Sequence, residues 1–298
     1  MDAWIIYSKP TAEKKQKSGE IEKIRKYAKD KYNINVDIIS SHDFFISCEK
    51  GENKIYYQGK EIVDLPKIVV FRKYDIYLAR QFELMGVKVM NSTQAMIDAR
   101  NKMKTYQVLA NKGISTPKTL YIVSGIKKKT LYYDQVCKFF NSNKFILKYT
   151  YGSQGKYVHL ITSEEEFNEA VKKYEGICIF QEYIESSFGK DIRCYVIGGK
   201  FVGAAIRQSS GDDFRSNLAR GGHALKFEYN EKVAKLAIDA SNAFNLDICG
   251  VDILFKGNDE YTVCEVNALP GFKSLRATTE KRGSIVLLEL INDTLKRM

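Results

Sequence analysis

Apolar positions in the first third of the chain come in short runs set between polar stretches, and their spacing alternates between two periods. AWIIY (3–7) has the length and composition of a strand. Ile21, Ile24 and Ala28 then recur at helical spacing and predict a helix over 18–32. INVDII (34–39) and KIVVF (67–71) predict further strands, the second an unbroken run of the kind buried on both faces of a parallel sheet. KIYYQGKEI (54–62) predicts a small hairpin turning at Gln58-Gly59. Strand, helix and strand at this spacing predict a small α/β unit over 1–95.

The pattern changes beyond residue 90. Residues 91–117 predict a helix with Ala99, Met103, Tyr106 and Ala110 on one face, Gly113 just past its end and Pro117 blocking continuation. Residues 119–185 read as strand-rich, with one helix near 163–174 whose opening TSEEEF supplies a cap and first-turn acids. Residues 192–207 alternate as a hairpin around GGK (198–200). A helix over 230–245 would bury Val233, Leu236, Ala237, Ala240 and Phe244, and a last helix runs over 283–297. Lys127, Lys128 and Lys129 read as a solvated turn, and neither an internal repeat nor a low-complexity linker is present.

A length of 298 residues with 44% hydrophobic content supports two or three domains. No apolar run reaches the roughly 18–20 residues of a membrane span. The opening MDAWIIYSKP lacks a signal-peptide pattern, so a cytoplasmic protein without membrane partners is expected. The six cysteines are scattered with no Cys-x-x-Cys pair, which indicates neither a zinc site nor a disulfide framework. The net charge of +11 suits an anionic partner or simple solubility. Helix-turn-helix, zinc-finger, RNP and base-stacking signatures are missing, so nucleic acid is not the expected partner. ATP or a carboxylate-rich peptide is.

The chemistry concentrates in GVDILFKGNDEYTVCEVNALPG (250–271). Strand alternation points Glu265 and Asn267 the same way, with Val263 and Tyr261 on that face. An even-length turn within KGNDE places Asp252 there too, opposite Val263 or Glu265. Two carboxylates packed together in an apolar sheet repel unless a cation sits between them, and an all-oxygen set suits Mg²⁺ shared with phosphate oxygens. A phosphate cradle is then needed. FILKYTYGSQGKYVHLIT (145–162) offers Gly152 and Gly155 in a loop between two strands, which is not a Walker loop. Lys148 inside FILKY requires an anion or a route to water. In residues 189–222, Asp191 and Arg193 share a strand face, Arg207 ends the return strand, and Arg215, Asn217 and Arg220 follow in a glycine-flanked loop suited to phosphate or carboxylate.

Together NKMKTYQVLANKGISTPKT, LKYTYGSQGK, QEYI, GKDIRCYVIGGKFVGAAIRQ, DDFRSNLARGG and CGVDILF…EVNALPG resemble the ATP-grasp superfamily, and within it the RimK-like family of ribosomal-protein-S6 glutamate ligases, over nearly the whole chain. The resemblance implies an α/β (α+β) ATP-grasp fold in three parts: an N-terminal α/β domain over 1–95, a central lid domain over 96–185 and a C-terminal antiparallel-sheet domain over 186–298. It implies Lys102 and Lys148 on the ATP phosphates, Gly152, Ser153, Gln154 and Gly155 as the covering loop, and Glu182 and Tyr183 at the adenine. Asp191, Arg215, Ser216 and Asn217 would be further ATP contacts, and Asp252, Glu265 and Asn267 the ligands of Mg²⁺, with Mn²⁺ able to substitute. Arg193, Arg207 and Arg220 are the candidates for gripping substrates, with Arg193 and Arg207 also candidates, beside Lys148 and Arg215, for offsetting charge during transfer. The implied reaction activates a carboxylate as an acylphosphate and joins it to an amine, with an acidic peptide or protein among the candidate substrates and homo-oligomers common among such ligases. Tyr149, Tyr157 and Leu269 depart from the usual proline, glycine and serine, the last beside the expected acceptor position. Alternatives are a peptide macrocyclase of the same family and a non-catalytic ATP-binding module.

Overall fold

The protein was analysed as a computed structural model that describes residues 1–121, 133–152, 157–173, 178–211, 213–216 and 221–298. The Lys127–129 run lies outside these residues.

The first unit is built on a parallel sheet of β1 (Ala3–Tyr7), β2 (Val36–Ser40), β6 (Ile68–Phe71) and β7 (Lys88–Met90), in the order β2-β1-β6-β7. All four residues of β6 are buried, as an uninterrupted β-branched run requires between covered faces. Helix α2 (Glu20–Tyr32) buries Ile21, Ile24 and Ala28, the face its spacing predicts. Helix α1 (Lys9–Lys17) precedes it; with Ala12 its one buried residue it has no apolar period to betray it. The expected hairpin is present as β4 (Glu52–Tyr57) and β5 (Lys60–Glu61), turning at Gln58 and Gly59, both at positive φ. A further strand, β3 (Phe44–Glu49), pairs along β4. Helix α3 (Ile76–Leu84) follows β6.

The helix expected over 91–117 is two helices, α4 (Thr93–Arg100) and α5 (Lys102–Asn111). Asn101 leaves the helical region, and its side chain accepts the Lys104 N–H (3.1 Å), capping the second helix. The break resets the helical phase. Helix α5 therefore buries Thr105, Tyr106 and Leu109, while Ala110 is exposed.

The central sheet is antiparallel, β10 (Val158–Ile161), β9 (Phe145–Tyr149), β11 (Cys178–Glu182) and β8 (Thr119–Tyr121) in that order. It carries α7 (Glu164–Lys173), near its expected place, and α6 (Tyr133–Phe140), which was not expected. Strand-favouring aromatics hide α6, and packing of Val136 beside Phe145, Leu147, Phe167 and Phe180 overrides that preference.

The last sheet runs β14 (His223–Lys226), β13 (Lys200–Gln208), β12 (Lys190–Ile197), β15 (Ile248–Gly257), β16 (Glu260–Asn267), each pair antiparallel. One face packs on α8 (Glu231–Asn242) through Val233, Ala237 and Ala240. Helices α9 (Lys273–Thr278) and α10 (Gly283–Leu295) close the chain. The first and last sheets share their cores: Phe71 and Phe82 belong with Ile192 and Val251, and Ile5 and Val70 with Leu287 and Ile291. The central unit has its own.

Asn91 ties the shared core together. It is fully buried, donates to the carbonyls of Ile248 and Ala268 (2.7 Å each) and accepts the Ile248 N–H (2.8 Å). Asn91→Leu is expected to cost roughly 3 kcal/mol, since each buried group left unpaired costs about 1–3 kcal/mol. Urea denaturation measures it, and a loss below about 1 kcal/mol would remove this role. Among the described residues, no helix is long and apolar enough to cross a membrane.

Candidate active site

The site is one face of the last sheet. Alternation along β12 sends Ile192, Cys194 and Val196 into the core and Asp191, Arg193 and Tyr195 to the opposite face. Register then places Arg207 beside Asp191, Asp252 beside Arg193 and Glu265 beside Asp252, with Asn267 facing Gly250. The turn of this hairpin is Asn258-Asp259, both at positive φ. A bulge between Asp252 and Ile253 shifts the pairing, so Ile253 lies opposite Val263 and Cys264 is the extra residue. Val263 therefore enters the core rather than sharing the Glu265 face, and Cys264 turns toward the site.

Small residues make room for long ones. Arg193 lies over Gly250, where an added Cβ would stand 3.2 Å from its Nη1 and 2.7 Å from Pro270 Cβ. Arg193 grips Asp252 through Nε and Nη2, and Arg207 grips Asp191 the same way while reaching Asp252 Oδ2 (2.8 Å). All four side chains are nearly buried. Burial opposes ionisation of Asp252, but Arg193 and Arg207 outweigh it and hold its pKa below the usual carboxylate range. For Asp191, burial together with nearby Asp252 prevails over Arg207, and its pKa is raised. The two arginines thus hold Asp191 and Asp252, where substrate-gripping roles were expected for them.

Opposite this face stands the central sheet. Ile146, Lys148 and Gln181 share the side that looks into the gap, while Phe145, Leu147 and Phe180 form the separate core behind. Lys148 Nζ donates to Gln181 Oε1 (2.5 Å), lies 3.4 Å from the Tyr106 hydroxyl and 3.5 Å from Cys264 Sγ. Burial alone would depress its pKa; Cys264, Tyr106 and Glu265 together hold it raised and the ammonium charged. Lys102, at the first position of α5, reaches the Gly152 carbonyl (2.7 Å) and Glu265 (3.4 Å). Arg215 pairs with Asp213 through two nitrogens (2.8 and 2.9 Å). The Glu182 carboxylate accepts the Lys118 N–H (3.0 Å).

Between the sheets lies a cavity of about 580 Å³, within the usual size range for small-molecule sites. The phosphate candidates Lys102, Lys148 and Gly152, the adenine candidates Glu182 and Tyr183, and Asp191, Arg215 and Ser216 all line it. So do Arg193, Arg207, Asp252, Glu265 and Asn267. Ser153, Gln154, Gly155, Asn217 and Arg220 lie outside the described residues. Among the described lining residues, seven lysines and arginines face four carboxylates, a balance that suits a polyanion. Gln181 is not singled out in the sequence as a site residue, and Tyr106 reads only as a core-facing helix residue. Gln181 had the same signal as Lys148, a polar residue inside an apolar strand, CIFQE.

A sequence profile described as the RimK-like ATP-grasp domain matches residues 99–291. The chain belongs to the RimK-like ATP-grasp family. It is 32% identical over 266 residues to a probable alpha-L-glutamate ligase 2 of Pseudoalteromonas atlantica, covering 86% of each chain. It is likewise 32% identical over 266 residues to a probable alpha-L-glutamate ligase of Methanococcoides burtonii, covering 86% of each chain. In fold it is similar to the ATP-grasp ligase PsnB complexed with minimal precursor (TM-score 0.71, 17% identity, 98% of each chain). It is also similar to the D-alanine–D-alanine ligase of Bacillus anthracis complexed with ATP (TM-score 0.67, 19% identity, 100% of this chain and 98% of that one). This RimK-like protein is a carboxylate–amine ligase that forms an amide bond through an acylphosphate, in the three-part ATP-grasp architecture that works with ATP and Mg²⁺.

Proposed function

We propose that the protein adds an amino acid, with glutamate the first to test, to the carboxylate of a peptide, protein or small acceptor. The carrying observation is the cationic cavity with an oxygen-rich floor: Lys102 and Lys148 converge on the Glu265 side of the sheet face that holds Asp252 and Asn267. The glutamate-ligase names of its relatives support the choice of amino acid.

ATP would lie between the central and last sheets, its adenine at Glu182 and Tyr183 and its phosphates at Lys102 and Lys148. Ser153, Gln154 and Gly155 would cover the phosphates, and Asp191, Arg215, Ser216 and Asn217 would complete the nucleotide contacts. The domain limits fall near residues 95 and 185. The donor set fits a hard cation: Glu265 is 40% exposed with a single lysine contact, and Asn267 shares its face. Arg193 and Arg207 take three of the roughly four lone-pair positions of Asp252, which leaves it one oxygen position for an ion. Glu265, Asn267 and Asp252 would hold Mg²⁺, which supplies charge neutralisation on the phosphate oxygens when bound.

The substrate carboxylate attacks the γ-phosphorus, the bond to the bridging oxygen breaks, and ADP leaves. The amine nitrogen then attacks the acyl carbon, phosphate departs with the C–O electron pair, and the amine loses a proton. Lys102, Lys148 and, once released from Asp213, Arg215 offset the charge that builds up. Closure over the site keeps water from the acylphosphate.

ADP release is expected to require a carboxylate and an amine together, and the product to gain one residue mass. Mass spectrometry of acidic peptides incubated with ATP, Mg²⁺ and amino acids checks this. Loss of water within one peptide would assign macrocyclisation instead, and ADP release that never rises above background would overturn the ligase activity.

A further inference from the structure

Gln181, on β11, is buried and makes the shortest of the three contacts of the Lys148 ammonium. Nζ donates to its Oε1 at 2.5 Å, against 3.4 Å to the Tyr106 hydroxyl and 3.5 Å to Cys264 Sγ. An ammonium has three donors and no acceptor, so these contacts engage all three hydrogens. An amide offers an acceptor at one end and donors at the other. Its oxygen suits Lys148 and its NH₂ group does not, so the orientation of Gln181 has to be fixed from elsewhere.

Thr119 fixes it from the next strand. Register places Thr119 directly opposite Gln181, with β8 the edge strand beside β11. Gln181 Nε2 donates to Thr119 Oγ1 (2.9 Å), and Thr119 Oγ1 donates to the Pro117 carbonyl (2.8 Å). A carbonyl only accepts, so the single hydroxyl hydrogen is committed to Pro117. Toward Gln181 the hydroxyl can then only accept. This draws the NH₂ end to Thr119 and leaves the oxygen for Lys148. Tyr106 follows the same rule: its hydrogen goes to the Cys264 carbonyl (2.6 Å), so toward Lys148 it presents lone pairs. Hydrogens therefore run one way, from Lys148 through Gln181 and Thr119 to Pro117, and bonds aligned in this sense reinforce one another. Gln181 and Lys148 line the cavity, whereas Thr119 is not among the described residues that do.

We propose that Thr119 is a positioning residue for the nucleotide: acting through Gln181, it holds the Lys148 ammonium where it meets the ATP phosphates. The inference rests on the placement of those phosphates at Lys148 proposed above. When phosphate oxygens enter, the two long contacts, to Tyr106 and Cys264, are the ones that yield, and the short one to Gln181 keeps the ammonium aimed. Without the Thr119 hydroxyl the NH₂ end of Gln181 loses its acceptor, and the amide that orients Lys148 is itself no longer held.

The test measures ATP affinity by titration in a double-mutant cycle of Thr119→Val and Lys148→Met, with Thr119→Ser as the conservative variant. Valine keeps the branched shape of threonine and suits a strand, Thr119→Ala serves as a second variant without the hydroxyl, and thermal melting checks that each protein is folded. Thr119→Val is expected to weaken ATP binding about 5- to 10-fold, the factor that one hydrogen bond gives. Thr119→Ser, which keeps the hydroxyl, should stay within about twofold of the wild type. In Lys148→Met the valine should change ATP affinity by less than about twofold, because no ammonium is left to aim. A merely structural threonine would weaken binding equally in both backgrounds. That result, no loss in either background, or a loss in Thr119→Ser as large as in Thr119→Val would each overturn the assignment. Lys148→Met alone decides the placement beneath it. Unchanged ATP affinity there would remove the phosphates from Lys148 and the role of Thr119 with them, whereas weakened binding with an additive valine effect would remove that role alone.

Discussion

Asp252→Asn is expected to lose at least about two orders of magnitude in turnover and about 3–5 kcal/mol of stability, whereas Glu265→Gln loses the turnover alone. The two carboxylates are neighbours in one strand pair, yet their surroundings differ. Asp252 is 4% exposed and is gripped by both Arg193 and Arg207. An amide there presents an NH₂ group to guanidiniums that need acceptors, and leaves buried positive charge uncompensated. Glu265 reaches the open cavity and meets Lys102 at 3.4 Å, a contact worth no more than about 1 kcal/mol at such exposure. Both would help hold the cation that neutralises phosphate charge, so loss of either should slow transfer while ATP still binds weakly. Urea denaturation and ADP release separate the effects. Wild-type turnover in Glu265→Gln would remove the cation from this face, and undiminished stability in Asp252→Asn would remove the buried ion-pair cluster.

That contrast was half legible in the sequence. The period of two in EVN and the Asn-Asp turn are local features, and they place Asp252, Glu265 and Asn267 on one face. Which cations approach Asp252 is decided by the pairing of β12 with β15, some sixty residues apart in the chain, and no local pattern carries it. The bulge that brings Cys264 toward Lys148 breaks the alternation, so that Val263 and Val266, three residues apart, both enter the core, and the period of two alone places Val263 on the wrong face. The same limit explains α4 and α5: the helical period continues through Asn101, and only the cap shows that the phase restarts.

Lys148→Met is expected to lose turnover without the loss of stability that Asp252→Asn carries. Turnover should fall at least about two orders of magnitude, while stability changes by no more than about 1.5 kcal/mol, as volume-conserving swaps in a core do. The Lys148 ammonium is buried and rests on an amide oxygen, a phenol and a thiol, and among the described residues no carboxylate forms an ion pair with it. Burial opposes its charge, and Gln181, Tyr106, Cys264 and Glu265 offset that penalty. Methionine removes the penalty together with the contacts that offset it, so the two changes largely cancel. Saturating ATP should accordingly raise the melting temperature of the wild type more than that of the variant, because a ligand stabilises the folded state in proportion to its affinity. Parallel loss of stability and turnover would make Lys148 a structural residue. An equal ATP-dependent shift in both proteins would place the phosphates elsewhere in the cavity.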